Sequence, residues 1–172
     1  MTMGPAVRRR CAGLVRDLAR TTGIPVPFEL SGFLARWSVR RAGRPVELLP
    51  LDVDQLPAGV CGLWIELSDR DVVGFPADAS RTHRDHIVLH EVGHMLAGHG
   101  GGLGAAGPAA LLPDLDPTMV RAVLGRSVYS DLQEQEAELI ASMILERSLG
   151  AGPRPPGAGD PVVERLEQTL DD

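Results

Sequence analysis

The segment Asp85-His86-Ile87-Val88-Leu89-His90-Glu91-Val92-Gly93-His94-Met95-Leu96 constrains this chain more than any other. On an α-helix a four-residue step turns through roughly 40°, so His90 and His94 leave the same face one turn apart. Two imidazoles so spaced can grip one divalent cation, and Glu91 beside them is placed to act as base toward an attacking water. The pattern His-Glu-x-x-His therefore asks for a helix with an apolar back, packed in a real core, and an accessible polar front. His83 and His86 join that front, while Val88, Leu89, Val92, Met95 and Leu96 fill the other sides. Zinc usually takes four groups and a catalytic site reserves one for water, so His83 and His86 are expected as cleft residues rather than ligands. The competing reading is a surface helix with incidental histidines.

A catalytic zinc needs a third protein ligand, and three places compete for that role. His99 misses the longer pattern in which Gly and His follow the second motif histidine by three and six residues, since Ala97 and Gly100 stand there. Cys61 would give the Cys-plus-two-His set of peptide deformylases. However, Val60-Cys61-Gly62 is not their Glu-Gly-Cys segment and Gly93 replaces the Asp they carry, so Cys61 reads as a buried structural thiol. The third place is the acidic run Glu134-Gln135-Glu136-Ala137-Glu138. A helical wheel puts Glu136 in the stripe of Leu132, Leu139, Ile140 and Met143, within roughly 60° of each, with Glu134 and Glu138 pointing away. A carboxylate in an apolar stripe is costly to desolvate without a partner, and a zinc ion would serve. Glu136 is thus the expected third ligand, with Glu138 in reserve; pairing with Arg147 or Arg81 is the structural alternative.

The remaining chain sorts into helices, short strands and punctuation. Residues 6–20 form an amphipathic helix whose Arg run is a solvated face or a contact for an acidic partner, and Gly23-Ile24-Pro25-Val26-Pro27 stops it. A second helix is predicted over 28–41. After Gly43 come β-like runs at Val46–Leu49, Gly62–Leu67 and Asp71–Phe75, the last two joined as a hairpin around Ser68-Asp69-Arg70. Such a sheet is either structural or a cradle that adds an extended peptide as a further strand. Asp78 or Ser80 caps the histidine helix and Gly98 ends it. A Gly/Ala/Pro-rich loop at 100–117, read as a lid, precedes a short helix at 119–124. A capping box at Ser130–Gln133 then opens a helix to about Leu149. Residues 162–170 form at most a short helix in a Pro/Gly-rich tail.

The expected architecture is α+β. One zincin-like domain packs a small sheet on the His-Glu-x-x-His helix and a Glu-bearing helix, divided as an N-terminal helical segment 1–42, a core 43–149 and a tail 150–172. A formal charge of −6 in 172 residues argues against direct nucleic-acid binding. Two cysteines suit a reducing compartment, and no run reaches the roughly 20 apolar residues of a membrane span, so a cytoplasmic protein is expected.

At the histidine helix, His90 to His99, and at Glu134-Gln135-Glu136-Ala137-Glu138-Leu139-Ile140-Ala141, the chain resembles the ImmA/IrrE family of metallopeptidases, of the two-His-plus-Glu gluzincin type. The resemblance covers roughly residues 45–147. Glu136 matches the Glu that the family places before Ala, and Ile140 stands where an aromatic is usual. It implies a zinc endopeptidase with zinc on His90, His94 and Glu136 and with Glu91 as the base. The implied substrate is a protein partner, a helix-turn-helix repressor or an antitoxin of a toxin-antitoxin pair. The alternative is a zinc-binding regulatory or toxin protein that docks such a partner without cutting it. For the second oxyanion donor, His83, His86, His99 and Tyr129 stand open.

Overall fold

The computed structural model describes residues 4–56, 61–99 and 129–150 together with the backbone of 120–125. The fold is α+β, with four helices and a four-stranded sheet among the described residues. The helices are α1 (Pro5–Thr21), α2 (Leu30–Arg40), α3 (Arg81–Ala97) and α4 (Asp131–Ser148); the strands are β1 (Val46–Leu51), β2 (Leu63–Leu67), β3 (Asp71–Pro76) and β4 (Val120–Gly125). Strand order is β1-β3-β2-β4: β1 runs parallel to β3, and β2 lies antiparallel to both β3 and β4.

The predicted hairpin is β2–β3, closed where Leu67 N donates to Arg70 O at 2.9 Å. The helix expected over 119–124 is instead strand β4, paired from Leu63↔Gly125 to Leu67↔Val120. Its β-branched residues and terminal Gly suit a strand, and the partner edge of β2 supplies hydrogen bonds that no local pattern reveals. The expected lid at 100–117 and tail helix at 162–170 lie outside the described residues.

One core joins all four helices to the sheet. Cys11, Val15 and Leu18 of α1, Phe33 and Trp37 of α2, Val88, Leu89 and Val92 of α3, and Ile140, Ala141 and Ile144 of α4 are buried against one another and Val73. The helical segment set apart at 1–42 thus shares its core with the histidine helix. Leu63, Ile65, Leu67 and Val72 form a smaller cluster, as the alternation of side chains along β2 and β3 requires.

Two local devices place α3 against α4. Ser80 caps α3 by accepting from His83 N, and Ser130 with Gln133 makes the predicted reciprocal box at the start of α4. Between the helices, Gly93 lies against the backbone of Ala137. A Cβ built there would stand 2.7 Å from the Ala137 carbonyl oxygen and 3.0 Å from its Cα, so only glycine permits this approach.

Candidate metal centre

Because the helices meet at Gly93, the polar front of α3 faces the start of α4 across a cleft of about 610 Å³. His83, His86, His90, Glu91 and His94 line it from α3, Glu134 and Glu138 from α4, and Tyr129 from the residue before the cap. Inside it His90, His94 and Glu134 converge. The two Nε2 atoms stand 3.1 Å apart, His90 Nε2 is 3.3 Å from one Glu134 oxygen, and His94 Nε2 is 3.7 Å from the other. Ligands at about 2.0–2.1 Å from a tetrahedral zinc lie roughly 3.3 Å from one another, so these spacings bracket what that ion requires. This is the one three-residue group of His, Cys and carboxylate side chains with metal-binding spacing among the described residues.

Glu136, the expected third ligand, is on the other flank of α4. Its carboxylate takes both oxygens to Arg10 Nη1, at 2.7 and 2.8 Å, and accepts from His99 Nε2 at 2.7 Å. The buried residues of α4 are Glu136, Ala137, Ile140, Ala141, Ile144 and Ser148, whereas Leu132 is exposed. By rotation of roughly 100° per residue that stripe is centred between the two acids, with Glu134 at one margin and Glu136 at the other. The wheel drawn on the large residues was therefore turned by part of a turn. The closest approach of α4 to α3 is at Ala137, against Gly93, and a small residue of this kind is under-reported by a hydrophobic stripe. Arg10 answers the structural alternative for Glu136; Arg147 and Arg81 do not.

Cys61, expected to be a buried thiol, is exposed and lies on the cleft wall next to Gly62. A Cβ on Gly62 would come within 2.8 Å of Glu91 Oε1 and 2.6 Å of Ile87 Cγ2, so the entry to β2 closes tightly over Glu91. His86 bonds Glu138 at 3.1 Å, and the same oxygen is 3.5 Å from His90 Nδ1. Both histidines that were expected as cleft residues do line the cleft.

The electrostatics follow from burial. Glu91 is 4% exposed, its Oε2 has no hydrogen-bond partner among the described residues, and burial, with the Glu134 carboxylate adding, pushes its carboxyl up to about 8. Burial likewise pushes His94 down to about 3, with His90 and His99 adding to the effect, so its imidazole is neutral and its lone pair available. Tyr129 stacks on His94 at 3.7 Å between ring centroids and 15° between planes. Its hydroxyl is buried without a described partner, and burial, then Glu91 and Glu134, raise it so that it keeps its proton. No family model, curated protein or solved structure matches the chain.

Proposed function

We propose that the chain is a zinc-dependent endopeptidase of zincin-like build, acting on a protein partner of the repressor or antitoxin kind. The observation that carries this reading is a buried Glu91 carboxyl, whose Oε2 has no hydrogen-bond partner among the described residues, beside the converging Nε2 atoms of His90 and His94 and the Glu134 carboxylate. A buried acid without a counter-charge is costly, and a divalent cation held by those three neighbours would supply the missing positive charge.

A zinc ion there supplies Lewis acidity and an acidified water. Glu91 takes the proton of the attacking water and returns it to the leaving amine, a role for which a raised carboxyl is suited. Tyr129 is the choice among the four open donors for the developing oxyanion. Its hydroxyl is protonated, buried and without a partner among the described residues, whereas His83 is exposed and His99 and His86 are bonded to Glu136 and Glu138. The backbone of β4, at the end of the sheet as described, offers an edge along which an extended peptide can add.

The test is incubation of the zinc-loaded protein with candidate helix-turn-helix repressors and antitoxins, read by mass spectrometry of the fragments. Cleavage by wild type but not by Glu91→Gln supports the peptidase. Stable binding of an intact partner by both proteins replaces it with docking.

A further inference from the structure

The sequence made Glu136 a metal ligand, and the geometry gives it other work. A line of hydrogen bonds crosses three helices: Arg10 Nη1 of α1 to Glu136 of α4, Glu136 to His99 Nε2, and His99 Nδ1 to His94 Nδ1 at 3.0 Å. Gly98 makes the last link possible. It adopts the left-handed conformation at φ 70°, and His99 N donates to His94 O at 3.0 Å, so the chain folds back and sets the His99 ring beside His94. Arg10 Nη2 also donates to Ala97 O at 2.8 Å, tying α1 to the same helix end.

The direction of the line is set at its charged end. Glu136 sits between two donors, where an ionised carboxylate can only accept. When His99 donates through Nε2 as a singly protonated ring, its Nδ1 is bare and that atom can only accept from His94, 3.0 Å away. His94 then carries its proton on Nδ1 and turns an Nε2 lone pair toward His90 and Glu134.

We propose that Arg10, Glu136 and His99 form a positioning chain that holds His94 in the Nδ1–H tautomer and orients its Nε2 for metal. The tautomer stands on the hydrogen-bond line alone; its use in metal binding rests on the function proposed above. Glu134, Glu136 and Glu138 thereby acquire separate tasks on one helix: to contact the ion, to orient His94 through His99, and to flank His90 Nδ1.

The test begins with long-range ¹H–¹⁵N correlation spectra of the metal-free wild-type chain at about pH 8, above the ordinary histidine range. Protonated Nδ1 and bare Nε2 at His94, with the reverse at His99, are expected; Nε2–H at His94 overturns the proposal. Zinc affinity is then measured by chelator competition for Glu136→Gln and His99→Ala, with circular dichroism confirming the fold. Orienting partners of this kind typically change metal affinity by about 10–100-fold, and weakening of that size with a shift in the His94 tautomer is expected. An unchanged affinity with an unchanged tautomer overturns the proposal. A wild-type chain that binds no zinc defeats the metal reading, while the spectra still decide the tautomer.

Discussion

Two buried carboxyl groups, Asp71 and Glu91, are treated in opposite ways. Asp71 at the start of β3 is fully buried. It is held by Arg44 at 3.0 and 3.2 Å, by Arg41 at 2.8 Å and by the indole N–H of Trp64 at 2.9 Å. Glu91 on α3 is almost as buried, yet its nearest charged influence is another carboxylate, Glu134, and one of its oxygens bonds nothing among the described residues. Trp64 touches both regions: its N–H serves Asp71 and its ring packs on Met95 and Tyr129, the latter stacked on His94. The difference separates structure from function. The carboxylate that locks the β1–β3 corner comes with its cations built in, whereas Glu91, the base of the proposed peptidase, would gain its positive charge only from the cation that the proposal places beside it.

The largest expected effect comes from breaking the Glu91 side. Glu91→Gln should lower the hydrolytic rate by about 10²–10⁴-fold, measured on the cleaved partner, with zinc still bound. The same change should stabilise the metal-free protein. The folded carboxyl sits near 8 and the unfolded one near its ordinary value of about 4.3, so the Glu91 contribution is fully present below the latter and lost as pH rises through the former. Denaturant titrations at about pH 5 and pH 8 should show wild type losing stability across that window, on the order of a few kcal/mol, and Glu91→Gln losing much less.

Asp71→Asn should do the reverse, costing about 3 kcal/mol by leaving Arg41 and Arg44 facing a neutral group. Urea unfolding measures it, and zinc affinity should be little changed. If both variants shifted stability in the same direction, the contrast between the two sites would be lost.

Gly93→Ala tests how the site is assembled. The new methyl group would press on the Ala137 backbone, and the helices must separate. Destabilisation of roughly 1–3 kcal/mol is expected from such overpacking, together with weaker zinc binding as Glu134 recedes from the histidines. Unchanged zinc affinity would mean that the helix spacing does not set the ligand geometry.

The smallest effect belongs to the surface. Asp17 is held below the usual carboxylate range by hydrogen bonds from Arg40 and Arg20. Its contribution is therefore present above the unfolded value of about 3.9 and lost as pH falls through the lower folded one. Asp17→Asn should lower Tm slightly at neutral pH and leave it unchanged in strong acid.

Much of this arrangement was legible in the residues. The period of α3, its Ser80 cap, its Gly98 stop and the Ser130–Gln133 box are local signals, and each reports on its own neighbourhood. The hairpin at Ser68-Asp69-Arg70 is local as well. What failed depended on partners distant in sequence. Glu134 and Glu136 differ by two residues, and which one meets the histidines depends on how α4 is rotated against α3. Gly93 and Ala137 set that rotation, and neither carries a hydrophobic signal. Residues 120–125 became a strand because the edge of β2 was free. Arg10 looked like part of a solvated face because Glu136, 126 positions away, could not be seen as its partner. The site's chemistry was visible in three residues; its support was distributed over the fold.

Zinc binding by wild type and Glu134→Gln, measured by elemental analysis after dialysis against a weak chelator, tests the centre most directly. Near one zinc per wild-type chain, with Glu134→Gln depleted, is the predicted result. A wild type without metal, or a Glu134→Gln variant that retains as much zinc as wild type, would contradict it.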